Sequence, residues 1–578
     1  MHATPDPGRE PVRVWAPAAR RVRLLAEQAQ LELDPDGAGW FTGPRLAPGT
    51  DYAFLLDDSE EPLPDPASRW QPDGVHGRSR VYDQDAYRWG DEQWPGRDLT
   101  DAVIYELHVG TFTPGATFDD AAQRLPHLVN LGITHVEVMP VNAVNGVWNW
   151  GYDGVDWYAV HEPLGGPDGL KRFVDACHAA GLAVILDVVY NHLGPSGNYL
   201  PKFGPYLKSG RNTWGDLVNL EQPEVRRFVI DNALMWLRDY HADGLRLDAV
   251  HALQDSSPVH LLAQLSAEVA EVAEAVDRPL MLIAESDLND PVTIEPRPGG
   301  YGLDAQWDDD VHHALHALLT GEREGYYCDF GSLQVLAKVL TRAFLHDGTF
   351  STFRGRVWGR PIDAEHTPGW RFVVCLQNHD QVGNRAVGER LPELTSMDLV
   401  RVGAVLLLTV PFTPMLFMGE EWAASTRWPF FTSHPEPELA KATGAGRLAE
   451  FASYGWDVHE MIDPQDPQAY HSAVLDWTEP AREPHAGMLR LYRELIALRA
   501  AEPELRDSDL SRVRVDYDEA QQWLVVHRGG IRVVANVSGV ERTVPVLRAR
   551  EVAFATGEVE LTDAGVRLQP QSAAIVRI

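Results

Sequence analysis

Cysteine is nearly absent from this 578-residue chain: Cys177, Cys328 and Cys375 are odd in number, far apart and without CxxC spacing. That excludes a disulfide framework and a cysteine zinc site. Lysine is almost as scarce, at Lys171, Lys202, Lys208, Lys338 and Lys441 only. Basic residues total 50 against 84 acidic ones, a formal net charge of −34. Such a surface repels phosphate, so nucleic acid and anionic membranes are excluded as partners. A neutral, hydroxyl-rich substrate meets no such barrier. No apolar run approaches the ~20 residues of a membrane span. The N-terminal stretch MHATPDPGREPVRVW lacks the apolar core of a signal peptide. A soluble, cytoplasmic protein is expected.

Hydrophobic residues make up 44% and charged residues 23%. That is enough apolar material for large cores and excludes collagen-like, coiled-coil and disordered chains. Residues 1–95 read as an N-terminal β-sandwich, with short runs such as Val12–Trp15 and Val22–Leu25 separated by Asp-Pro and Pro-Gly turns. The breaker-rich stretch 64–74 reads as an ordered connection. From 96 to 504 strands and helices alternate. Strand candidates are Val103–Tyr105, Val136–Met139, Leu182–Val189, Gly244–Leu247, Leu280–Ala284, Phe372–Leu376 and Met415–Phe417. Helices lie between them: one capped by Thr117 with Pro126 inside it, one ended by Gly181, and one begun by Pro223. Alternation over about 400 residues, without a glycine-rich dinucleotide fingerprint, favours a central (β/α)8 TIM barrel over a doubly wound sheet. An enlarged Gly/Pro/Asn-rich loop around 190–220 is expected over its mouth. Residues 505–578 return to alternating strands, a C-terminal β-sandwich. The fold class is therefore multidomain α/β, a TIM barrel between two β-sandwich domains.

Four apolar runs lead to acids: Asp187 in LDVVYNH, Asp248 in DGLRLD, Glu285 in LIAE and Asp380 in QNHD. In such a barrel the C-terminal strand ends carry the chemistry. One strand-end acid is as readily a satisfied structural group; four converging on one mouth are a catalytic constellation. Arg246 stands two residues before Asp248, on the same strand face, and would hold it ionised and aimed. Glu285 has no basic residue in its strand, and an apolar setting would keep it protonated. One ionised and one protonated carboxyl is what retaining glycoside hydrolysis needs. His192 and His379 are suited to sugar hydroxyls. Trp148, Trp150, Tyr152, Trp157 and Tyr158 crowd one stretch, and aromatic faces stack on sugar rings.

The segments DVVYNH (187–192), DGLRLDAVH (243–251), LIAESD (282–287) and QNHDQVGN (377–384) resemble, in order and spacing, the four signature regions of the α-amylase superfamily of glycoside hydrolases. The resemblance implies Asp248 as nucleophile, Glu285 as acid/base and Asp380 as transition-state stabiliser. It implies Tyr152, His192, Arg246, His379 and Asn384 as substrate-binding residues, with His251 toward the leaving group. Asp187 and Asn191 would support the site. Within the superfamily VRVWAPAARRVRLL (12–25) resembles the β-domain of branching and debranching enzymes. The stretches DPASRWQPDGVHG (65–77), WNWGYDG (148–154), QWDDDVHHALH (306–316), LFMGEEWAAS (416–425) and PFFTSHPEPEL (429–439) resemble the maltooligosyltrehalose trehalohydrolase family over nearly the full length.

That resemblance adds Asp309, Asp310, His312 and His313 near the substrate, a place a helix N-terminal cap cluster would equally occupy. It implies cleavage of the α-1,4 bond next to the terminal trehalose of maltooligosyltrehalose. The departing side would be shaped by residues near His251, the 306–316 segment and the aromatic-rich 421–431 stretch. Val250 stands where true α-amylases often carry lysine. A glycogen branching enzyme or general α-glucan hydrolase would share the acids; a carbohydrate-binding scaffold would have lost Asp248 or Glu285. No cofactor and no metal are needed by the chemistry. Asn191, Asn198, Asn212 and Asp216 are the oxygen ligands a loop calcium would draw on.

Overall fold

The computed structural model describes residues 3–27, 29–454 and 462–578. The start of the N-terminal segment searched for a signal peptide lies outside them. Two antiparallel sheets form the N-terminal region. One has three strands in the order Arg13–Trp15, Trp40–Thr42, Asp34–Pro35, and the other four in the order Ala29–Glu32, Val22–Ala26, Asp51–Leu56, Ser79–Arg80. Along Val22–Ala26, Val22, Leu24 and Ala26 are buried while Arg23 and Leu25 are half-exposed. That is the period of two a one-sided strand requires. The breaker-rich connection is ordered: Pro64–Arg69 is buried, and Asp65 accepts from Tyr52 Oη at 2.7 Å.

Eight parallel strands then close into a barrel. They are β1 (Ile104–Leu107), β2 (His135–Val138), β3 (Ala183–Val188), β4 (Gly244–Leu247), β5 (Met281–Ala284), β6 (Ala305–Trp307), β7 (Phe372–Cys375) and β8 (Thr413–Phe417). β6 is the strand no sequence run marks. It is three residues long, too short to show a period. The helix capped by Thr117 is two helices. Thr117 caps Phe118–Ala122 by accepting from Asp120 N–H at 3.2 Å, a bond worth about 1 kcal/mol. Pro126 sits in the first turn of Leu125–Leu131, where its missing N–H costs nothing. Gly181 takes φ +79° just after Gly166–Ala179, and Pro223 opens Pro223–Asp239.

The 190–220 loop contains a short helix, Leu200–Phe203, and a hairpin, Leu207–Arg211 with Asp216–Val218. It is fastened to the N-terminal sheets. Ala18 N–H donates to Phe203 O at 3.1 Å, and Trp15 meets Tyr206 edge-on at 5.1 Å.

Two further sheets, of five and three strands, occupy 514–577. Alternation sends Leu524, Val526, Val533 and Ile575 into the barrel's core and Trp523, Val525, Val534 and Val576 into a separate core with Val544 and Val566. The three cysteines are free; Cys177 and Cys375 are buried and Cys328 is exposed. No helix among the described residues is long and apolar enough to cross a membrane.

Candidate active site

Register brings the acids together. Asp187 on β3 aligns with Arg246 on β4, and both are buried in the barrel. Leu247 aligns with Ala284 of β5, so Asp248 and Glu285 each stand one residue beyond an aligned pair. Asp248 N–H donates to Val188 O at 3.0 Å and Glu285 N–H to Leu247 O at 2.9 Å, extending the ladder past the strand ends. Neighbouring strands lie about 4.8 Å apart, so the two carboxyls emerge side by side.

Arg246 is the hub. Its Nη1 donates to both oxygens of Asp187 and to Asp248 Oδ1, each at 2.9 Å, and Nη2 lies 3.8 Å from Glu285 Oε2. Its guanidinium covers the Trp307 ring at 4.2 Å. The basic neighbour that β5 lacks in sequence is thus supplied across the sheet, but without a hydrogen bond to Glu285. Burial raises the Glu285 carboxyl to about 8; Arg246 opposes the shift, and Asp248, Asp380 and Asp309 add to it. Burial likewise raises Asp187, to about 6, against the pull of Arg246. Asn191 Nδ2 donates to Asp248 Oδ2 at 2.7 Å, leaving that carboxylate held at both oxygens.

Asp380 is not on a strand end. It lies in the short helix His379–Gly383 after β7, half-exposed, with Asn384 Nδ2 donating to its Oδ1 at 3.1 Å. Tyr152 Oη lies 2.6 Å from Asp187 Oδ2 and 2.8 Å from His379 Nε2, and the Tyr152 and His379 rings stack at 5.1 Å. His192 bridges Asn191 Oδ1 at 2.5 Å and Tyr152 O at 2.9 Å. His251 Nε2 is 3.9 Å from Asp287 Oδ1, on the Glu285 side.

The 309–316 segment divides. Asp309 begins the helix Asp309–Thr320; burial and nearby Asp380 raise it to about 7. His313 stacks on Tyr326 at 4.8 Å, and burial lowers it to about 3. Asp310 points elsewhere: its Oδ2 accepts from Asn289 Nδ2 and Leu345 N–H, both at 2.7 Å, anchoring another loop. His312 is buried against His316 and Tyr327.

Two expectations about aromatics need correction. Of the five at 148–158, Tyr152 reaches the acids. Trp157 and Tyr158 lie on a buried strand against Phe228, Trp150 is buried against Trp428, and Trp148 stacks on Tyr470. In 421–431, Trp422, Trp428 and Phe431 are fully buried and form no open face; Trp428 stacks on Trp150, which meets His379 edge-on, and Trp422 packs on Trp477.

Sequence reasoning also missed residues. Trp214, 49% exposed, faces His192 at 6.0 Å and His251 at 6.2 Å. A hairpin of Thr349–Ser351 and Arg356–Trp358 brings Arg354 Nη1 to 3.1 Å from Asp287 Oδ2 and Phe353 to 6.1 Å from Tyr326. The only signal for Trp214 was a lone tryptophan in a Gly/Asn-rich loop. The hairpin had none, because nearly seventy residues separate it from Asp287.

The loop oxygens considered for calcium are otherwise engaged. Asn198 Oδ1 accepts from Leu200 N–H at 3.1 Å, Asn212 Oδ1 accepts from Trp214 and Gly215 N–H, and Asp216 lies 3.4 Å from Arg211. Among the described residues no group of three or more His, Cys, Asp or Glu is arranged to hold a metal ion.

Comparison with known proteins places the chain in a family. The family model for the alpha amylase catalytic domain matches residues 115–203, and a domain of unknown function, DUF3459, matches 508–575. The chain is 56% identical to a malto-oligosyltrehalose trehalohydrolase of Arthrobacter ramosus, over 98% of this chain and 99% of that one. It is 52% identical to one of Rhizobium sp. (strain M-11), over 98% and 97%. A solved chain from Salmonella typhimurium superposes with a TM-score of 0.91 at 37% identity, covering 98% and 97%. A pullulanase from Anoxybacillus sp. LM18-11, solved with maltotetraose, shares the fold at TM-score 0.70 and 18% identity, covering 100% and 87%. With relatives of this identity along its whole length, the chain belongs to the malto-oligosyltrehalose trehalohydrolase family of the α-amylase glycoside hydrolases.

Proposed function

We propose that this glycoside hydrolase cuts the α-1,4 bond next to the terminal trehalose of maltooligosyltrehalose, releasing trehalose and a maltooligosaccharide. The observation that carries the chemistry is the Asp248–Glu285 pair around Arg246: one carboxylate held by hydrogen bonds, one carboxyl kept protonated to about 8. Glu285 gives its proton to the glycosidic oxygen as that bond breaks, and Asp248 attacks the anomeric carbon. Trehalose departs and a glycosyl-enzyme remains. Water, deprotonated by the now ionised Glu285, then attacks the same carbon and frees Asp248. Asp380, half-exposed at the mouth, faces the positive charge that develops on the ring.

The sugar at the cleavage point lies over Tyr152, with His192, His379, Arg246 and Asn384 around its hydroxyls. His251, Asp309 and His313 line the departing side, joined by Trp214, Arg354 and Phe353. Asp310 and His312 act by supporting that wall. The same reading divides the chain at 1–95, 96–504 and 505–578 and places it in the cytoplasm, with α-1,4-glucans as its partners.

Product analysis tests the substrate. A fitted hydrogen-bond set on the leaving group is worth roughly 2–4 kcal/mol, or about 30- to 1,000-fold in kcat/KM. That preference is expected for maltooligosyltrehalose over a maltooligosaccharide of equal ring count. Equal rates would make the chain a general α-glucan hydrolase; new α-1,6 links without free trehalose would make it a branching enzyme.

A further inference from the structure

Below the sugar floor lie two glutamates the proposed chemistry does not use. Glu106 on β1 and Glu137 on β2 are direct partners in the parallel register, and each is about 1% exposed. Parallel neighbours in one row point the same way, so two carboxyls meet inside the barrel. Like charges so placed repel, and buried side by side they cannot both ionise.

Their surroundings decide which one does. Glu106 Oε1 lies 2.5 Å from His379 Nδ1, and Oε2 accepts the His379 backbone N–H at 2.9 Å. Glu137 has no hydrogen-bond partner at either oxygen among the described residues. Burial and the neighbouring Glu106 raise Glu137 well above the carboxylate range. The charge therefore rests on Glu106 and Glu137 is a neutral acid.

Proton counting carries this upward. Tyr152 has one hydroxyl proton and two partners, Asp187 at 2.6 Å and His379 Nε2 at 2.8 Å. Asp187 accepts two bonds from Arg246 and is acceptor-only when ionised. The hydroxyl proton goes to Asp187, so Nε2 must donate to Tyr152. Nδ1 must already donate to Glu106. His379 thus carries both ring protons.

We propose that Glu106 is a positioning residue: with Glu137 beside it neutral, its single charge keeps His379 doubly protonated, and His379 thereby fixes the Tyr152 ring under the sugar. This rests on the placing of Tyr152 and His379 at the substrate floor. Around His379 the charged and titratable groups are Glu106 and, behind it, Glu137; Asp380 Oδ1 at 3.5 Å; and Tyr152 with Asp187 beyond it. Arg246 and His108 are the opposing positive or titratable neighbours. Burial would lower the imidazole, but the Glu106 carboxylate, with a smaller push from Asp380, overrides it and His379 is pushed up to about 9.

The test is E106Q in the full chain, with kcat and KM on maltooligosyltrehalose measured from pH 5 to 9. Loss of an orienting partner of this kind costs roughly 10- to 100-fold. We expect that loss at pH 7.5, mainly in kcat, with partial recovery below pH 6 where solvent reprotonates the ring. E137Q should stay within about threefold of wild type and show no such recovery. The same drop at every pH in E106Q, or an acid-side recovery in E137Q, overturns the proposal. A second readout needs no substrate and does not depend on the folding of E106Q or E137Q. The His379 ring proton resonance, assigned by difference with H379Q, should not titrate below pH 8 in the wild-type protein. A midpoint near 6.5 overturns the proposal even if trehalose release is confirmed, and inactivity on maltooligosyltrehalose with an untitrated His379 would count against the substrate alone.

Discussion

The backbone N–H of Ala249 donates to Glu285 Oε2 at 2.5 Å. Ala249 immediately follows Asp248 and sits at φ 40°, ψ 52°, a left-handed conformation that residues with a Cβ rarely adopt. The turn that ends β4 therefore aims one carboxyl and fastens the other. Strain of this kind costs of order 1–3 kcal/mol and persists where the surroundings over-determine it. Here the bonds from Arg246 and Asn191 to Asp248 do so. A proton on the other Glu285 oxygen leaves Oε2 free to accept this N–H, the state the proposed acid needs before cleavage.

Asp248→Asn keeps the shape and removes the proposed nucleophile. Turnover of maltooligosyltrehalose should fall by roughly 10⁴-fold or more, with far-ultraviolet circular dichroism unchanged. Near-normal turnover would show that another group attacks.

With Glu285 as the proposed acid, it should set the alkaline limb of the rate. Its carboxyl, raised by burial to about 8, must be protonated to act as the acid. kcat/KM should hold below pH 7 and fall tenfold per pH unit above about 8. In Glu285→Gln the residual rate on a substrate with an activated leaving group should lose that limb. An unchanged alkaline limb in the variant would assign it to another residue.

Arg246→Met removes the cation from between three carboxyls. Breaking a buried pair by deleting one partner costs about 3–5 kcal/mol. Urea unfolding should show a loss of this size, together with loss of activity. Equal stability would mean that Asp187 takes a proton without cost when the guanidinium is gone.

His379 also links stability to pH. Against burial, which lowers it, the Glu106 carboxylate and then Asp380 raise its folded-state proton affinity from the ordinary 6.5 to about 9. A raised histidine stabilises fully below pH 6.5, and that stabilisation is lost as pH climbs through 9. In a Glu285→Gln background, which removes the parallel titration of that acid, the urea midpoint should fall between pH 6.5 and 9. The additional change H379Q should flatten the slope. An identical slope in both proteins would show that His379 contributes nothing to it.

The acids were legible because Asp248 and Glu285 close apolar runs, Asp187 interrupts one and Asp380 follows one within a few residues, and a carboxyl so placed stands out against its surroundings. Asp380 was legible as an acid but not as a helical residue, since only Leu376, Gln377 and Asn378 separate the end of β7 from the start of the helix. Ala305–Trp307 was hidden between Asp304 and Asp308, and so was Trp307, on which Arg246 rests. Glu106 and Glu137 were visible as lone charges within Ile104–Leu107 and His135–Val138. Their meaning depends on which strand lies beside which, and that only closure of the barrel decides. Trp157 and Tyr158 misled for the opposite reason. Composition marks where aromatics gather, whereas a strand sends successive rings to opposite faces and here both faces are covered.

Trp15 and Ala18 hold Tyr206 and Phe203, and eight residues past Tyr206 the same loop presents Trp214 at the mouth. The N-terminal sheets are therefore not a detachable module. A barrel grafted without them onto another scaffold would keep Asp248, Glu285 and Asp380 yet lose the footing of the loop that carries Trp214. Such a chimera should still cut a small activated glucoside while discriminating poorly among long chains. In this protein the division between what folds together and what works together does not follow the division between sheets and barrel.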